Sequence, residues 1–317
     1  MNPMPIASNY RRKLRIKDLL ACPACHSVLL IQNEDADTAT LECMNCLARY
    51  RVRGGIYRLL TADRMAELEA FNRKYDRLRQ QEGFASDCPG YYEALPFEDV
   101  SGRNPHIWRL RALSFRWLQK WLLHKYGKQP VIILDAGAGS GWMSQRLGDL
   151  YSMLAVDINA GPHGLAAIHP FKRKFVAIQA ELNALPFKSM CLDAVIASAS
   201  LHHAPNPQKC LAEFYRVLKP GGRLIVMDTP TYVTNSEVEA AHQRSREYYR
   251  KLGMPEMAEH YRGLTMKFFV ENRFFNFRRL RPDIVLLDWV KKTIRRSLGK
   301  PGGACFPFWV GEPKCRE

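Results

Sequence analysis

The feature that most constrains the fold is a glycine-rich turn between an apolar run and a helical segment. Residues 131–134 are Val-Ile-Ile-Leu, a run typical of a buried strand, and a helix is predicted from about Trp142 to Gly148. Between them lie Asp135 and three alternate glycines: Gly137, Gly139 and Gly141. Such a turn lets a ligand approach the main chain and presents N–H groups at a helix N-terminus. Because position 142 is Trp, the G-x-G-x-x-G spacing of dinucleotide sites is not met, which disfavours NAD and FAD.

The rest of the central region follows the same alternation of strands and helices. Short β-branched runs alternate with helical segments from 131 to 230, which predicts a parallel sheet built from βαβ units. Apolar residues at spacings of three and four predict helices over 62–81 and 105–126. With 317 residues, about two domains are expected. We divide the chain into an N-terminal region (1–60), a helical linker or cap (61–130) and a main domain (131–317).

The chain is strongly basic, with a formal net charge of +16. The excess is concentrated in residues 231–317, where 17 Lys and Arg face 10 acids. This balance makes phosphate-bearing molecules and anionic membranes partners worth testing. We expect no transmembrane segment, since no apolar run approaches about 18 residues. Met1–Asp18 lacks the apolar stretch of a signal peptide, and we expect a cytoplasmic protein.

Nine cysteines include two close pairs, which are separated by 17 residues. The pairs are Cys22 with Cys25, and Cys43 with Cys46. This spacing predicts a four-thiolate zinc site, in which each C-x₂-C directs two sulfurs at one metal ion. Four protein ligands leave no open position, so the metal is expected to be structural. Two disulfides or four free thiols are the alternatives.

The residues around the cysteines carry a resemblance of their own. The segments LLACPACHSVLL and YRVRGGIYRLL resemble a family of small zinc-binding proteins that serve as accessory subunits of RNA and protein methyltransferases. The resemblance covers about 40 residues and implies a zinc-ribbon-like N-terminal domain that works with a methyltransferase.

Five motifs in the main region resemble a second family. They are ILDAGAGSGW, AVDIN, AELNALPF, LDAVIASASLHH and RVLKPGGRLIVMD. In this order they are similar to the motifs of class I S-adenosylmethionine-dependent methyltransferases of the type 11 branch, which includes quinone and sterol enzymes. The resemblance implies an α/β fold with a Rossmann-like seven-stranded sheet, here with the N-terminal zinc domain and a helical cap.

The resemblance also implies a set of residues that bind S-adenosylmethionine. Asp135 would lie behind the methionine amino group, Asp157 would bind the ribose hydroxyls, and Glu181 would face the adenine amine. Glu181 departs from the family, which usually has Asp there. The full implied set is Asp135, Ala136, Gly137, Gly139, Asp157, Ile158, Glu181, Leu182 and Ser198. Trp142 is bulkier than usual, and it either narrows the methionine end or borders the acceptor.

Two histidines are the candidates for acid–base chemistry. His202 and His203 follow the fourth strand of the main sheet, on the acceptor side, where a near-neutral imidazole serves as a general base. The alternative is that they end the strand and bond nearby carbonyls. Tyr91 and Tyr92 are candidate lid residues, although ordinary packing is expected of both.

The acceptor is predicted to be a small molecule or a lipid. An RNA base is the alternative, favoured by the basic charge and the zinc domain, and a non-catalytic scaffold that binds the cofactor is a second alternative. Residues 283–298 predict a basic amphipathic helix, which we expect to pack its apolar face on its own domain. An anionic membrane or phosphates are its other candidate partners. Residues 306–314 predict a closing edge strand.

Overall fold

The structure is a computed structural model that describes residues 15–32 and 39–316. Residues 1–14, on which much of the signal-peptide expectation depends, lie outside the described part. The described residues form thirteen strands: β1 (Leu29–Gln32), β2 (Thr40–Cys43), β3 (Arg49–Arg53), β4 (Ile56–Arg58), β5 (Ile132–Ala136), β6 (Ser152–Asp157), β7 (Phe175–Gln179), β8 (Leu192–Ser198), β9 (Leu218–Met227), β10 (Thr231–Tyr232), β11 (Leu264–Thr265), β12 (Phe275–Arg281) and β13 (Phe308–Pro313). The same part forms nine α-helices: α1 (Ile16–Leu19), α2 (Ala62–Glu82), α3 (Tyr91–Ala94), α4 (Pro105–Tyr126), α5 (Trp142–Leu147), α6 (Pro207–Val217), α7 (Asn235–Lys251), α8 (Met266–Val270) and α9 (Leu286–Ser297).

The main sheet contains eleven strands in the order β1-β2-β3-β4-β7-β6-β5-β8-β9-β13-β12. Neighbours from β4 to β9 run parallel, whereas β13 is antiparallel to both β9 and β12. The seven strands from β7 to β12 form the α/β, Rossmann-like sheet that the motifs predicted. Strand order reverses between β5 and β8, and ligands of open α/β sheets bind at such a switch point.

The N-terminal strands extend this sheet. The antiparallel strands β1 to β4 join it because β4 pairs in parallel with β7, with Ile56 opposite Ala177. The N–H of Leu59 also donates to the carbonyl of Gln179 at 2.8 Å. Continuous hydrogen bonding therefore links the cysteine region to the main sheet, a junction that the sequence did not predict.

The core lies on both faces of the sheet. Consecutive strand residues point to opposite faces, so Ile133 packs in the layer under α4 while Leu134 packs in the layer under α6. The layer under α6 continues into the cysteine region through Leu20 and Leu41. Both layers are apolar, which explains why the parallel strands are continuous hydrophobic runs in the sequence.

Two expectations about the C-terminal region were wrong. The last strand, β13, is not an edge strand, because β12 pairs along its outer side. Helix α9 does not bury its apolar face: none of its residues is buried, and its half-buried residues are Trp289, Lys292 and Arg296. Of the helices in residues 15–32 and 39–316, none combines the length and the apolar character that a membrane crossing needs.

Candidate active site

A cavity of about 620 Å³ opens at the carboxyl ends of β5, β6 and β8. One side is formed by the glycine turn after β5 and by the residues that follow β6, β7 and β8. The other side is formed mainly by α2 and α4, which lie between β4 and β5 in the sequence. The volume falls in the usual range for small-molecule sites.

The glycine turn needs glycine for two different reasons. Gly137, Gly139 and Gly141 have φ of 81°, 54° and 76°, a region that other residues rarely adopt. A Cβ at Gly137 would lie 2.3 Å from the Cβ of Ser200, so the turn packs closely on the loop after β8. A Cβ at Gly139 would meet nothing within 4 Å, so the main chain there faces open space. The turn thus leaves room for a ligand beside Gly139.

Asp157 ends β6 and borders the cavity. Its two carboxylate oxygens accept the N–H groups of Gly139 and Asn159, each at 2.8 Å. Burial raises the pKa of Asp157, and these two N–H groups oppose that rise. Each oxygen keeps a second lone pair, so the carboxylate can also accept hydroxyl groups of a ligand.

Asp135 lies at the end of β5 with only 1% of its surface exposed. Its Oδ2 accepts the hydroxyl of Ser144 at 2.9 Å, while Oδ1 is buried and has no partner in the protein. Burial is the main cause that raises the pKa of Asp135 to about 7, and the nearby Asp157 adds to it. An unpartnered buried carboxylate oxygen is costly unless a donor reaches it. The position therefore fits a cationic group of a ligand.

Glu181 borders the cavity, and α2 already contacts it. Arg64 donates to both oxygens of Glu181, at 2.6 and 3.0 Å. Further along the same helix, Asn72 donates to the carbonyl of Ile158 at 2.9 Å. Leu182 and Ile158 also line the cavity. The sequence analysis did not find Arg64, since its partner lies 117 residues away.

Two residues of the predicted cofactor-binding set, Ser198 and Ala136, form hydrogen bonds with neighbouring residues. Ser198 lines the cavity, and its hydroxyl donates to Asp228 at 2.9 Å. Ala136 does not line the cavity; it is buried, and its carbonyl accepts the hydroxyl of Ser200 at 2.6 Å. Eight of the nine predicted cofactor residues therefore border one cavity, and Ala136 holds the adjoining loop.

The two histidines differ in position. His203 lines the cavity, and its Nδ1 donates to the carbonyl of His260 at 3.1 Å, which leaves Nε2 as an acceptor. Loss of solvation beside the surrounding protein lowers the pKa of His203 to about 4, and the positive charges of Arg79 and Arg111 add to this effect. His202 is buried, does not line the cavity, and has a pKa lowered well below its ordinary value by burial. His203 is thus the histidine of the pair that reaches the cavity, and it is neutral near pH 7.

Aromatic side chains from α2, α4, α5 and the loop after α2 form a further part of the cavity lining, which we call the aromatic wall. It consists of Phe71, Tyr75, Phe84, Trp108 and Trp142. Trp142 packs edge-on against Trp108, with ring centroids 6.1 Å apart, so it belongs to this wall. Tyr92 also borders the cavity, with its hydroxyl 2.8 Å from Nδ1 of His163, whereas Tyr91 is buried and does not.

Two arginines interrupt the aromatic wall. Arg79 pairs with Glu82 at 3.0 Å and lies 4.1 Å from the centre of the Phe84 ring. Arg111 pairs with the buried Asp228 at 3.3 Å. Both line the cavity, so the wall combines flat apolar surface with positive charge. The sequence analysis missed this wall, although Phe71, Tyr75 and Arg79 recur every four residues on one face of α2 and gave a usable signal.

The four paired cysteines form a separate cluster. Their sulfur atoms all lie within 4.8 Å of one another, with Cys22 and Cys46 at 3.6 Å and Cys25 and Cys43 at 3.4 Å. The two C-x₂-C turns have the same shape, since the residue after each, His26 and Leu47, has a positive φ of 57° and 59°. Tetrahedral zinc with bonds of about 2.3 Å separates its sulfurs by roughly 3.8 Å, so this geometry fits the metal.

Comparison with known proteins identifies the region around the cavity. Residues 134–226 match the family described as Methyltransferase domain. We call this segment the methyltransferase domain, after the family that it matches. It contains the glycine turn, Asp157, Glu181 and both histidines.

Three relatives place this methyltransferase domain among known proteins. A chloroplastic methyltransferase of Arabidopsis thaliana that is named as uncharacterised is 27% identical over 235 residues, 65% of this chain and 60% of that protein. The malonyl-[acyl-carrier protein] O-methyltransferase of Hahella chejuensis is 29% identical, over 41% of this chain and 48% of that protein. The demethylmenaquinone methyltransferase of Thermus thermophilus is 33% identical, over 42% of this chain and 64% of that protein. The chain thus spans about half to two-thirds of the length of these relatives.

Proposed function

We propose that the protein transfers the methyl group of S-adenosylmethionine to a small planar or lipid-like acceptor. The supporting observation is that one cavity is bordered both by the glycine turn with Asp157 and by the aromatic wall. A donor along the turn and an acceptor on the wall would share a single enclosed space. Methyl transfer needs this proximity, because the reacting atoms must meet in line at about 3–3.5 Å.

The donor would be held by the residues that the motifs predicted. Asp157 has lone pairs for the ribose hydroxyls, and the unpartnered Oδ1 of Asp135 suits the methionine ammonium group. Gly139 leaves space for the chain that joins them. Glu181 and Leu182 border the end at which the adenine would lie. The bound cofactor supplies an electrophilic methyl group on a positively charged sulfur.

The acceptor side would select flat, electron-rich molecules. The aromatic wall offers stacking surfaces, while Arg79 and Arg111 can stabilise negative charge on an acceptor oxygen. The Nε2 of His203 is free to accept a proton, although a pKa of about 4 makes this imidazole a weak base. Orientation and the two arginines would therefore contribute more to the rate than proton removal does.

The relatives support a small acceptor over RNA. Those whose names state an acceptor act on demethylmenaquinone and on a malonyl group carried by a protein. RNA remains the alternative because of the chain's net charge of +16. The buried cation-binding position at Asp135 and the open Gly139 weigh against a scaffold that has lost cofactor binding.

We also propose that the four paired cysteines bind one zinc ion. The sulfur geometry fits a closed tetrahedral site, and the cluster lies apart from the cavity lining. All four ligand positions would be filled by protein, so the metal would stabilise the N-terminal strands and would not take part in methyl transfer.

Cofactor binding tests the donor assignment. Titration calorimetry should detect S-adenosylmethionine binding to the purified protein, and Asp157→Ala should weaken it at least about 100-fold, because two charge-assisted hydrogen bonds are lost. Asp149→Ala is the matched control, since Asp149 is exposed and lies outside the cavity lining. Equal affinity in Asp157→Ala and the wild type would show that the ribose assignment is wrong.

Acceptor class needs a second measurement with the same proteins. Labelled methyl groups should be transferred into a metabolite or lipid extract by the wild type and not by Asp157→Ala. Label that enters an RNA fraction instead would replace this acceptor class with the RNA alternative. No transfer into any fraction, despite intact cofactor binding, would favour the scaffold.

A further inference from the structure

Helix α9 faces the domain with the side that carries its half-buried residues, Trp289, Lys292 and Arg296. Lys292 forms an ion pair of 2.6 Å with Asp283, which is only 3% exposed. One turn later, Arg296 pairs at 3.1 Å with Glu237, which is 6% exposed, and donates to the carbonyl of Gly303 at 2.7 Å. Because buried charges are strongly held by their partners, these two pairs fix which side of the helix faces the protein.

The opposite side of α9 carries a continuous apolar stripe that is open to solvent. We call it the α9 stripe; its exposed fractions are 58% for Leu286, 71% for Leu287, 39% for Val290, 54% for Ile294 and 67% for Leu298. At 100° per residue, positions 287, 290, 294 and 298 cluster on one face, whereas 292 and 296 point the other way. An amphipathic helix usually packs its apolar side on the domain, whereas α9 exposes that side to solvent.

The charge around the α9 stripe is positive. Lys291 and Arg295 are exposed along one margin of the stripe, and the exposed Lys300 follows the helix. Asp288 is the one acidic residue within Leu286–Ser297. A narrow convex apolar stripe beside cations matches a lipid surface, in which acyl chains lie beneath anionic headgroups.

We propose that α9 docks the protein on an anionic lipid bilayer. The α9 stripe would enter the boundary between headgroups and acyl chains, and Lys291 and Arg295 would lie at the level of the lipid phosphates. The pairs made by Lys292 and Arg296 would hold the helix in the orientation that binding needs. This proposal concerns a surface outside the cavity lining, and it stands whether or not the proposed acceptor class is correct.

Vesicle sedimentation tests the proposal with the full chain. The wild type should bind vesicles of phosphatidylcholine with 30% phosphatidylglycerol and should bind pure phosphatidylcholine at least about tenfold more weakly. Leu287→Glu/Ile294→Glu should reduce binding to the anionic vesicles at least about tenfold. Lys291→Glu/Arg295→Glu should also weaken binding and remove most of its salt dependence.

Matched controls separate docking from misfolding. Leu123→Glu/Leu150→Glu places the same charges at two exposed apolar positions outside α9 and should bind vesicles like the wild type. All variants should keep the wild-type thermal midpoint and S-adenosylmethionine affinity. Equal binding to both vesicle types, or full binding by Leu287→Glu/Ile294→Glu, would overturn the proposal. So would a concentration-dependent dimer that this variant abolishes while vesicle binding is absent, because the stripe would then be a contact between copies.

Discussion

Asp135 and Asp157 end neighbouring strands and are both enclosed by protein, yet their hydrogen bonding differs. Both oxygens of Asp157 accept backbone N–H groups, whereas Asp135 has one oxygen without a partner. Burial raises the pKa of Asp135 to about 7, and Asp135 accepts fewer hydrogen bonds than Asp157 to oppose that rise. In the folded protein without ligand, this carboxyl group is therefore partly protonated at neutral pH, and a ligand cation would ionise it.

Asp135→Asn should stabilise the ligand-free protein at high pH. The folded-state pKa of about 7 exceeds the ordinary 3.8, so the wild type loses stability as the pH rises between these two values. The difference corresponds to about 4 kcal/mol in the free energy of unfolding. The asparagine variant lacks this loss, so its advantage in urea unfolding should grow by about 3 kcal/mol from pH 5 to pH 8. It should also bind S-adenosylmethionine far more weakly.

Asp149→Asn supplies the control for this pH dependence, because Asp149 is exposed. Its unfolding free energy should follow the wild type at every pH. A constant difference between Asp135→Asn and the wild type across the range would mean that Asp135 is ionised throughout.

At the scale of an element, helix α2 covers the side of the cavity next to Glu181 and Ile158. Three polar contacts connect it to the ends of the strands. Arg64 contacts Glu181, Asn72 contacts the carbonyl of Ile158, and Asp76 accepts from Asn159 at 2.6 Å. A cofactor that enters beneath α2 would require some of these contacts to open. Under the proposed donor assignment, the helix would cover the nucleoside end of the cofactor.

Arg64→Ala should speed cofactor dissociation. Loss of the contacts to Glu181 would let α2 open more easily, and we expect about a tenfold higher dissociation rate with little change in thermal midpoint. Stopped-flow measurement with S-adenosylhomocysteine checks this. Arg73→Ala, at an exposed position of the same helix, should keep the wild-type rate. An unchanged rate in Arg64→Ala would show that α2 does not cover the site.

At the scale of the whole molecule, the cysteine region and the methyltransferase domain share one sheet. Strand β4 pairs with β7, and the N–H of Ala21 donates to the carbonyl of Pro186 at 3.0 Å. Leu20, Leu41 and Phe187 belong to the same buried layer. Folding of the cysteine region should therefore stabilise the sheet edge next to β7.

Removal of the proposed zinc should lower the stability of the protein and should leave its affinity for the cofactor nearly unchanged. About one equivalent of zinc should copurify, and a chelator or Cys22→Ser/Cys25→Ser should lower the thermal midpoint by about 5–15 °C. Cofactor affinity should change less than about threefold, because none of these cysteines borders the cavity. Cys88→Ser/Cys315→Ser is the control, since both are exposed and lie outside the cluster. Metal-free protein with the wild-type midpoint would contradict the zinc proposal.

The parts of the site that depend on short segments were predictable. The glycine turn, Asp157 and Glu181 each follow a strand whose apolar run is visible in the sequence, and parallel strands bring their carboxyl ends together. The cysteine pairs were predictable for the same reason, since a C-x₂-C turn is local. The zinc, the cofactor roles and the three-part division of the chain stay predictions.

What the sequence alone determined is what local chemistry dictates: positive φ at alternate glycines, alternation of strands and helices, and paired thiols. The tertiary structure alone decided which distant surfaces meet. Arg64 on Glu181, β4 beside β7, and the outward α9 stripe all depend on partners far away in the chain or on the opposite side of a helix. Local periodicity predicts that α9 is amphipathic, but it does not predict which side faces the domain. Such contacts are decided by the packing of whole elements around one core.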